Sequence, residues 1–411
     1  MSGVSRAVRL CVLSQMRVDD LRRIDGNGFA EAMELSKRLG LVAFVCFNNG
    51  RRTIARRFSD TFFFYSVPLR VSNSVIHTML SYVRGVAETI GLLICITRRH
   101  ALNLLRAENV VLCGVPAFLV SLSTGIPFGL MLLGSEEGVI RIRYGQNLIS
   151  GILSQLVRVI KRTLFPRSEF VLAVSSRELM DAKTHGSVRI GSTPVFVDFG
   201  RFRGGGVVTV PPRIVRFLYV GRLESEKGLG VLFSAIPHLP SGLPYEVLVV
   251  GKGTLLDKVR RIESAHSSIK YLGFFGYSEM PNVYAEAEVF VLPSFTEGTP
   301  AVVLEAMACG LPVVASSVGD IPLMIRDGVD GFLVPPGDSS ALAQAMGRFL
   351  EKPDLVETMG ESARLHVRVI SGEYLRRHIS LYESVLCPRG CRDASHWRDE
   401  SRNDAFRAKG S

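Results

Sequence analysis

The second half of the chain alternates short apolar runs with amphipathic segments, and this alternation restricts the fold more than any other feature. Runs that are apolar on both faces predict strands buried inside a sheet, and the segments between them have helical spacing. Strands joined through helices form a parallel sheet with helices on both faces, because such crossovers are right-handed. The predicted strands are residues 215–220, 246–250, 269–272, 289–292, 312–315 and 332–334, and the predicted helices are 228–239, 254–265, 278–287, 299–309 and 340–350.

The first half shows the same alternation less regularly. Because 411 residues exceed one ordinary hydrophobic core, we predict two Rossmann-like, doubly wound α/β domains. Two such domains facing each other form a cleft lined by the carboxyl ends of both sheets, where ligands bind in open α/β folds. In the first half the predicted strands are 10–14, 42–47, 62–66, 110–113, 129–133 and 170–174, and the predicted helices are 29–39, 75–90 and 147–164.

The expected domain boundaries follow from local composition. An N-terminal domain is predicted over residues 1–205 and a second domain over 214–370, joined by a glycine- and proline-rich linker over 206–213. A C-terminal helix is predicted over 371–386, and it can cross back to the N-terminal domain. Residues 387–411 are polar and rich in both charges, which predicts a disordered tail.

Charge is distributed unevenly between the halves. Residues 1–211 carry 27 Lys+Arg against 14 Asp+Glu, whereas the remainder carries 22 against 24. The excess of basic residues in the first half predicts that this half faces an anionic surface or substrate. The alternative is that the arginines only increase solubility. Two groups of basic residues favour contact with an anionic leaflet: Arg51, Arg52, Arg56 and Arg57 on a loop, and Arg158, Lys161 and Arg162 on a helix whose other faces hold Leu153, Leu156, Val157 and Ile160. The alternative is that this helix packs on its own sheet and the arginines are solvated.

Several classes of protein are not favoured by the sequence. The seven cysteines form no Cys-x-x-Cys pair and no Cys/His metal spacing, so a zinc site is not expected. The cysteines are expected to be free thiols in a reducing compartment. Residues 109–135 carry no charge, but glycines and prolines interrupt them, which predicts two short strands and a helix rather than a membrane span. No signal peptide is indicated, so a cytoplasmic location is expected, with peripheral attachment to the cytoplasmic face of the membrane. No nucleic-acid-binding motif accompanies the basic charge.

The most specific motif, residues 295–310, follows a predicted strand and opens a helix. Thr299 is predicted as the N-cap and Pro300 as the first helical residue, so the free N–H groups form an anion site. Glu297 precedes the helix and Glu305 lies two turns into it, where the two carboxylates can accept hydrogen bonds from separate diols beside a bound phosphate. The alternative is an exposed loop glutamate and a capping one. The apolar Ala-Met-Ala after Glu305 instead favours a buried, partnered carboxylate.

A second motif, residues 220–228, also joins a strand to a helix. It begins Val-Gly221-Arg222 and ends Lys227-Gly228. Arg222 and Lys227 can both reach a diphosphate at the same edge of the sheet, arginine as a fork and lysine as a point charge. The alternative is an ordinary surface loop of paired Glu and Lys residues.

Together these two motifs resemble the donor-site signature of glycosyltransferase family 4, the group 1 glycosyl transferases. The resemblance runs from about residue 217 to 350 and includes Val-Gly-Lys-Gly at 250–253 and Gly-Phe-Leu-Val-Pro-Pro-Gly at 331–337. In the first half, Gly26-Asn-Gly28 resembles the glycine loop that this family places beside the donor phosphates. Members are retaining enzymes of the GT-B fold, which implies the same fold and chemistry here. The resemblance also implies that the domain over residues 1–205 binds the acceptor and that the domain over 214–370 binds the nucleotide-sugar donor.

The resemblance also implies a role for each matching residue. Arg222 and Lys227 would bind the donor diphosphate, Glu305 the ribose hydroxyls and Glu297 the hydroxyls of the transferred sugar. Backbone groups of Gly28, Gly221, Gly298 and Thr299 would complete the donor site. Two positions depart from the family pattern: residues 132–136 lack the histidine that many members carry there, and Leu323 replaces a glutamate.

A mechanism is expected on the same grounds. The chain contains no Asp-x-Asp, so we expect neither a metal nor another cofactor, with cations and a helix dipole stabilising the leaving nucleoside diphosphate. Retention would use a β-phosphate oxygen as the base. The expected acceptor is a glycan, a lipid-linked molecule or another hydroxyl compound, in cell-surface polysaccharide or glycolipid biosynthesis. The alternatives are a nucleotide-sugar epimerase, a phosphorylase or an inactive sugar-nucleotide sensor.

Overall fold

A computed structural model describes residues 7–18, 26–50, 52–69, 75–138, 140, 145, 147–187, 189–193, 195–203 and 214–387. These residues form two compact units. The first contains the described residues up to 193 and those from Tyr374 onward, and the second runs from Val195 to Glu373. Each unit is described separately below.

The first unit contains an eight-stranded sheet in the order β3-β4-β2-β1-β5-β6-β7-β8. All neighbouring strands pair in parallel except β3 and β4. Central strands such as β2 are buried at every position, as expected for a sheet covered on both faces. The strands are β1 Arg9–Val18, β2 Leu41–Asn48, β3 Ile54–Arg57, β4 Phe62–Pro68, β5 Leu104–Ala107, β6 Phe128–Leu132, β7 Val171–Ala173 and β8 Ile190–Ser192; the helices are α1 Asn27–Ser36, α2 Val75–His100, α3 Val115–Thr124, α4 Leu148–Leu164 and α5 Ser176–Thr184.

One predicted strand of this unit is wrong. Residues 110–113 belong to a π-helical turn, Val110–Gly114, that continues into α3, and the strand at this place in the sheet is β5. The Asn109 side chain accepts the Cys113 N–H at 2.8 Å and so starts a helical turn. The other strand predicted in the uncharged segment 109–135, over residues 129–133, is present as β6. None of the described helices contains an apolar stretch that could span a bilayer.

Strand β5 carries a buried arginine. Arg106 is fully buried and donates to both carboxylate oxygens of Glu31, to Glu108 at 3.0 Å and to the Tyr382 hydroxyl at 3.0 Å. The Tyr374 hydroxyl donates to Glu31 at 2.7 Å. Burial acts to raise the pKa of Glu31, but the charge and hydrogen bonds of Arg106 outweigh it and lower that pKa. This ion cluster fastens the end of the last helix to α1 and β5.

The second unit contains a six-stranded parallel sheet in the order β11-β10-β9-β12-β13-β14. Each strand lies within one residue of its predicted bounds. The strands inside the sheet, β9, β12 and β13, are almost wholly buried, as expected for apolar runs covered on both faces, whereas the edge strand β11 is only partly buried. The strands are β9 Val215–Val220, β10 Tyr245–Val250, β11 Ile269–Gly273, β12 Val289–Leu292, β13 Val313–Ser316 and β14 Gly331–Val334; the helices are α6 Leu229–Ala235, α7 Leu256–Ala265, α8 Met280–Ala285, α9 Ala301–Ala308, α10 Ile321–Met324, α11 Ser339–Glu351 and α12 Asp354–Leu386.

The units divide at slightly different residues from the predicted domains. Residues 195–203 belong to the second unit because Val197 and Phe202 are buried in its core. The predicted C-terminal helix 371–386 is the end of the longer helix α12, whose residues from Tyr374 belong to the first unit. The predicted linker 206–213 and residues 388–411 of the predicted tail lie outside the described residues.

Candidate functional site

The two sequence motifs meet at the carboxyl edge of the second sheet. Strands β9, β12 and β13 are neighbours, so the loops that follow them lie side by side. These loops are residues 221–228, 293–300 and 317–320. In open parallel sheets this edge is where ligands bind.

Lys227 and Glu297 are brought together at this edge as an ion pair. The Lys227 Nζ donates to Glu297 Oε1 at 2.7 Å and to Oε2 at 2.8 Å. Both side chains are largely covered, with 17% and 7% exposed. The Ser294 hydroxyl donates to Glu297 Oε1 at 2.7 Å, which fixes the carboxylate from its own strand end. The site therefore combines a cation with a carboxylate that is fixed in position.

The close approach of two loops produces this pairing. The Phe295 N–H donates to the Glu226 carbonyl at 2.9 Å, which joins the loop after β12 to the loop after β9. Gly228 has a φ of +72°, and a Cβ there would lie 1.8 Å from the Pro293 carbonyl oxygen. Only glycine fits both the left-handed backbone and the contact. The glycine after Lys227 is therefore required for the lysine to reach Glu297.

Arg222 lies on the same loop but is not part of that ion pair. Its guanidinium contacts Glu226 at 2.8 Å, and 58% of its side chain is exposed. The loop backbone is held on both sides, because the Tyr219 hydroxyl donates to the Arg222 carbonyl at 2.8 Å and the Leu223 N–H donates to the Lys252 carbonyl at 3.0 Å. Exposed ion pairs contribute little, so Arg222 is available to an anionic ligand.

Glu305 is buried on α9, as its apolar neighbours predicted. Its Oε2 accepts the Tyr284 hydroxyl at 2.9 Å. Burial, and then the Glu305 charge, raise the pKa of Tyr284 well above its usual value, so the phenol stays neutral and donates. A carboxylate with one oxygen held in this way is oriented in advance, which suits the binding of a diol.

The predicted helix start is wrong by one residue. Pro300 is the N-cap and α9 begins at Ala301. The Thr299 hydroxyl does not cap the helix but donates to Asp320 at 2.5 Å, while the Asp320 N–H donates to the Gly298 carbonyl at 3.0 Å. The loop after β13 thus supports the loop that carries Glu297.

The remaining predicted donor-site residues lie in two places. Gly221 and Gly298 are on the loops after β9 and β12, beside the Lys227–Glu297 pair in sequence. Gly28 is described with the first unit, in the first turn of α1, where a Cβ would lie 3.5 Å from Glu108 Oε1. The second unit therefore supplies every predicted donor-site residue except Gly28.

Sequence reasoning missed the residues that hold the site in place. Ser294, Tyr284 and Asp320 each contact a predicted site residue, but none belongs to a recognisable pattern of its own. Ser294 lies three residues before Glu297, and only that spacing hinted at its contact. Tyr284 and Asp320 come from other elements, and their contacts depend on tertiary packing.

Part of the second unit matches a known family. Residues 215–352 match the family described as glycosyl transferases group 1. The chain is 34% identical over 164 residues to D-inositol 3-phosphate glycosyltransferase of Streptomyces griseus subsp. griseus, an alignment that covers 37% of this chain and 35% of that protein. The aligned segments span about a third of the length of such curated relatives.

Solved structures resemble the whole fold. Sucrose-phosphate synthase from Thermosynechococcus elongatus superposes with a TM-score of 0.68 at 18% identity, covering 92% of this chain and 99% of that chain. Anabaena HepE, in complex with UDP and glucose, superposes with a TM-score of 0.60 at 17% identity, covering 91% and 99%. These likenesses show the GT-B fold, with two Rossmann-like units. Residues 215–352 are accordingly a domain of the glycosyl transferases group 1 family, carried in a chain of the GT-B fold.

Proposed function

We propose that the chain is a retaining, metal-independent glycosyltransferase. It would move a sugar from a nucleotide-diphosphate sugar to a hydroxyl of a glycan, a lipid-linked molecule or another acceptor in polysaccharide or glycolipid biosynthesis. The observation that carries the proposal is the ion pair of Lys227 and Glu297 at the loop that opens α9, with Glu305 buried two turns further along. This arrangement suits a ligand with one anionic part and two diols.

The ion pair suggests how the donor is held. A diphosphate oxygen competes with Glu297 for the Lys227 ammonium, because both are anionic acceptors. When Lys227 turns to the diphosphate, Glu297 is left to accept hydrogen bonds from sugar hydroxyls, since an ionised carboxylate only accepts. The donor would thus separate the pair and give each member its own ligand group.

The same groups account for catalysis. Negative charge grows on the leaving diphosphate in the transition state, and Lys227, Arg222 and the N-terminal end of α9 would stabilise it. An oxygen of the leaving diphosphate would accept the acceptor's proton, as in the mechanism expected from the sequence. Glu297 and Glu305 would position the sugar and the ribose rather than exchange protons.

The nucleoside class is proposed from the same likenesses. HepE holds UDP and glucose on the same fold, so UDP-sugars are the first donors to try. An epimerase, a phosphorylase or an inactive sensor on this fold remains as the alternative outcome of the test. Donor trapping without turnover would indicate the sensor.

The experiment is product analysis with purified full-length protein. UDP-glucose, UDP-galactose and UDP-N-acetylglucosamine are incubated with a panel of glycoside acceptors, and the products are examined by NMR. We expect an α-linked product from an α-linked donor, and we expect the rate to be unchanged in EDTA. A β-linked product would contradict retention, and loss of rate in EDTA that magnesium or manganese restores would contradict metal independence.

We further propose that the first unit rests on an anionic membrane at its cytoplasmic face. Helix α4 exposes a continuous apolar stripe of Leu148, Ile152, Leu156 and Val159, of which Leu148 is 80% exposed. The sequence analysis placed Leu156 and Val157 together on the apolar side of this helix. In the structure Val157 is buried against the unit, whereas Leu156 is exposed. The buried face holds Ser154 and Val157, so the helix packs on its unit and still presents an apolar face outward. Exposed Arg162 supplies charge complementary to an anionic leaflet, whereas Arg158 lies on the side of the helix that carries the buried Ser154 and Lys161.

Vesicle sedimentation tests this attachment. Wild-type protein is expected to bind vesicles containing phosphatidylglycerol but not phosphatidylcholine alone, and high salt is expected to release it, because each basic side chain at the surface adds about 1 kcal/mol. Replacing Leu148, Ile152 and Leu156 by serine is expected to abolish binding, and an Arg51/Arg52/Arg56/Arg57→Ala variant to weaken it. Of these four arginines, which were predicted on a loop, Arg56 and Arg57 lie on β3 and Arg51 lies outside the described residues. The control, Leu365→Ser with Val369→Ser, removes two exposed apolar residues of α12 and is expected to bind normally. Equal binding to both vesicle types, or binding that survives the stripe variant, would contradict the proposal.

A further inference from the structure

The loop after β13, residues 317–320, packs closely against the loop that carries Glu297. Gly319 has a φ of +57°, and a Cβ there would lie 2.3 Å from the Glu297 carbonyl oxygen and 2.9 Å from the Gly298 carbonyl oxygen. Only glycine fits both this left-handed backbone and this close approach. The backbones of the two loops are therefore in direct contact beside the carboxylate that is proposed to bind the transferred sugar.

Asp320 joins the same two loops through two hydrogen bonds. Its N–H donates to the Gly298 carbonyl at 3.0 Å, and its Oδ2 accepts the Thr299 hydroxyl at 2.5 Å. Asp320 is only 3% exposed, so these bonds are shielded from water. A single aspartate thus fixes the two residues that directly follow Glu297, one through its backbone and the other through its side chain.

Both partners of the side-chain bond are residue types that usually cap helices. Asp320 is the N-cap of α10, and Thr299 comes directly before Pro300, the N-cap of α9. An aspartate at an N-cap ordinarily accepts an N–H of its own helix, which stabilises the helix by about 1 kcal/mol. Asp320 instead turns its carboxylate to Thr299. A local preference given up in this way is expected where a side chain serves a functional site.

The groups proposed to bind the nucleotide part of the donor lie on other segments. Lys227 and Arg222 belong to the loop after β9, and Glu305 lies on α9, where the Tyr284 hydroxyl holds its Oε2. The bond between Thr299 and Asp320 instead lies directly after Glu297. Loss of this bond is therefore expected to affect the sugar end of the donor and to leave the nucleotide end unchanged.

We propose that Thr299 and Asp320 are positioning residues that set which sugar the donor site accepts. By fixing the backbone after Glu297, they hold that carboxylate in one position relative to the sugar hydroxyls. A polar group fixed in this way pairs with one arrangement of hydroxyls and is left unpaired by an epimer, which is how such sites discriminate. The proposal rests on the proposed transferase function, because it concerns the sugar of the donor.

Calorimetry of full-length variants with UDP, UDP-glucose and the epimer UDP-galactose tests the pair without an acceptor. Thr299→Val keeps the shape of the side chain but removes its hydroxyl, and Thr299→Ser keeps the hydroxyl. We expect wild type to prefer one of the two epimers. In Thr299→Val we expect the ratio of the two Kd values to change about tenfold or more, with the Kd for UDP within about twofold of wild type. Thr299→Ser is expected to restore the wild-type preference.

Variants of the aspartate give an independent comparison. Asp320→Asn keeps an oxygen that can accept the Thr299 hydroxyl, so it is expected to keep the wild-type preference. Asp320→Ala removes that oxygen and is expected to match Thr299→Val. The control, Thr358→Val, removes an exposed hydroxyl of α12 that donates to the Asp354 carbonyl, and it is expected to bind all three compounds as wild type does.

The outcomes separate this proposal from the donor site itself. Wild type that binds none of UDP, GDP and ADP would refute the donor site and this proposal with it. If GDP or ADP binds in place of UDP, its glucose and mannose derivatives serve as the epimers. Wild type without a preference, an unchanged preference in Thr299→Val, or an equal loss of affinity for nucleotide and sugar nucleotide would overturn the role of the pair alone. If Asp320→Ala does not fold, the comparison of Thr299→Val with Thr299→Ser decides.

Discussion

Replacing Lys227 by alanine is expected to reduce the rate of sugar transfer by roughly 30- to 1,000-fold, which corresponds to about 2–4 kcal/mol of transition-state stabilisation. The substitution removes the cation that we propose binds the diphosphate, and it leaves Glu297, only 7% exposed, without its ion-pair partner. An unpaired carboxylate would then repel the diphosphate as well. The measurement is kcat/KM for the donor, together with circular dichroism to confirm that the variant is folded.

A second lysine of the same unit provides the control. Lys270 on β11 forms an ion pair with Glu246 at 2.5 Å, and about half of its side chain is exposed. Lys270→Ala removes the same charge from the same unit, but away from the loops that follow β9 and β12. It is expected to retain wild-type kinetics. Similar losses in both variants, or kinetics of Lys227→Ala within threefold of wild type, would refute the assignment.

Replacing Arg106 by leucine is expected to lower the free energy of unfolding of the first unit by about 3–5 kcal/mol, the usual cost of removing one partner from a buried ion cluster. Glu31 and Glu108 would remain buried without their cation, and the Tyr382 hydroxyl would lose a donor. Burial raises the pKa of Glu108 even though the charge of Arg106 acts to lower it. Without Arg106 that pKa rises further, so folding of the variant is expected to be accompanied by proton uptake at Glu108. Denaturant unfolding of full-length protein measures the change.

The matched arginine lies on the surface of the same unit. Arg84 on α2 pairs with Glu88 at 2.7 Å and is 76% exposed. Arg84→Leu is therefore expected to change stability by less than about 1 kcal/mol. An Arg106→Leu variant as stable as Arg84→Leu would show that the buried cluster contributes nothing to the fold.

The second unit was the more predictable one because the information in its two motifs is local. Lys227 and Gly228 are adjacent, and Glu297 and Glu305 lie on one strand-to-helix segment, so their spacing and its resemblance to a family signature pointed to these residues. The order of β9, β12 and β13 then brings the two motifs together. What the motif could not reveal is that Lys227 and Glu297 bond to each other, or that Tyr284 orients Glu305. Those contacts depend on packing between elements.

The first half was less predictable for a physical reason. Strand β5 contains Arg106, and a charge inside a short apolar run argues against a buried strand. Its compensating partners lie far away in sequence, since Glu31 is 75 residues distant and Tyr382 is 276. The strand was therefore predicted over the uncharged residues 110–113. In the structure these residues form a helical turn, which begins where the Asn109 side chain accepts the Cys113 N–H.

Calorimetric titration of nucleoside diphosphates tests the central claim most directly, because it needs neither the acceptor nor the sugar. Full-length wild type, Lys227→Ala and Glu305→Gln are titrated with UDP, GDP and ADP. The account predicts that wild type binds at least one of them, that Lys227→Ala weakens this binding by loss of the phosphate contact, and that Glu305→Gln weakens it by loss of the ribose contact, each about tenfold or more. Absence of binding by all three nucleotides, or equal affinity in wild type and both variants, would contradict a donor site at the carboxyl edge of the second sheet.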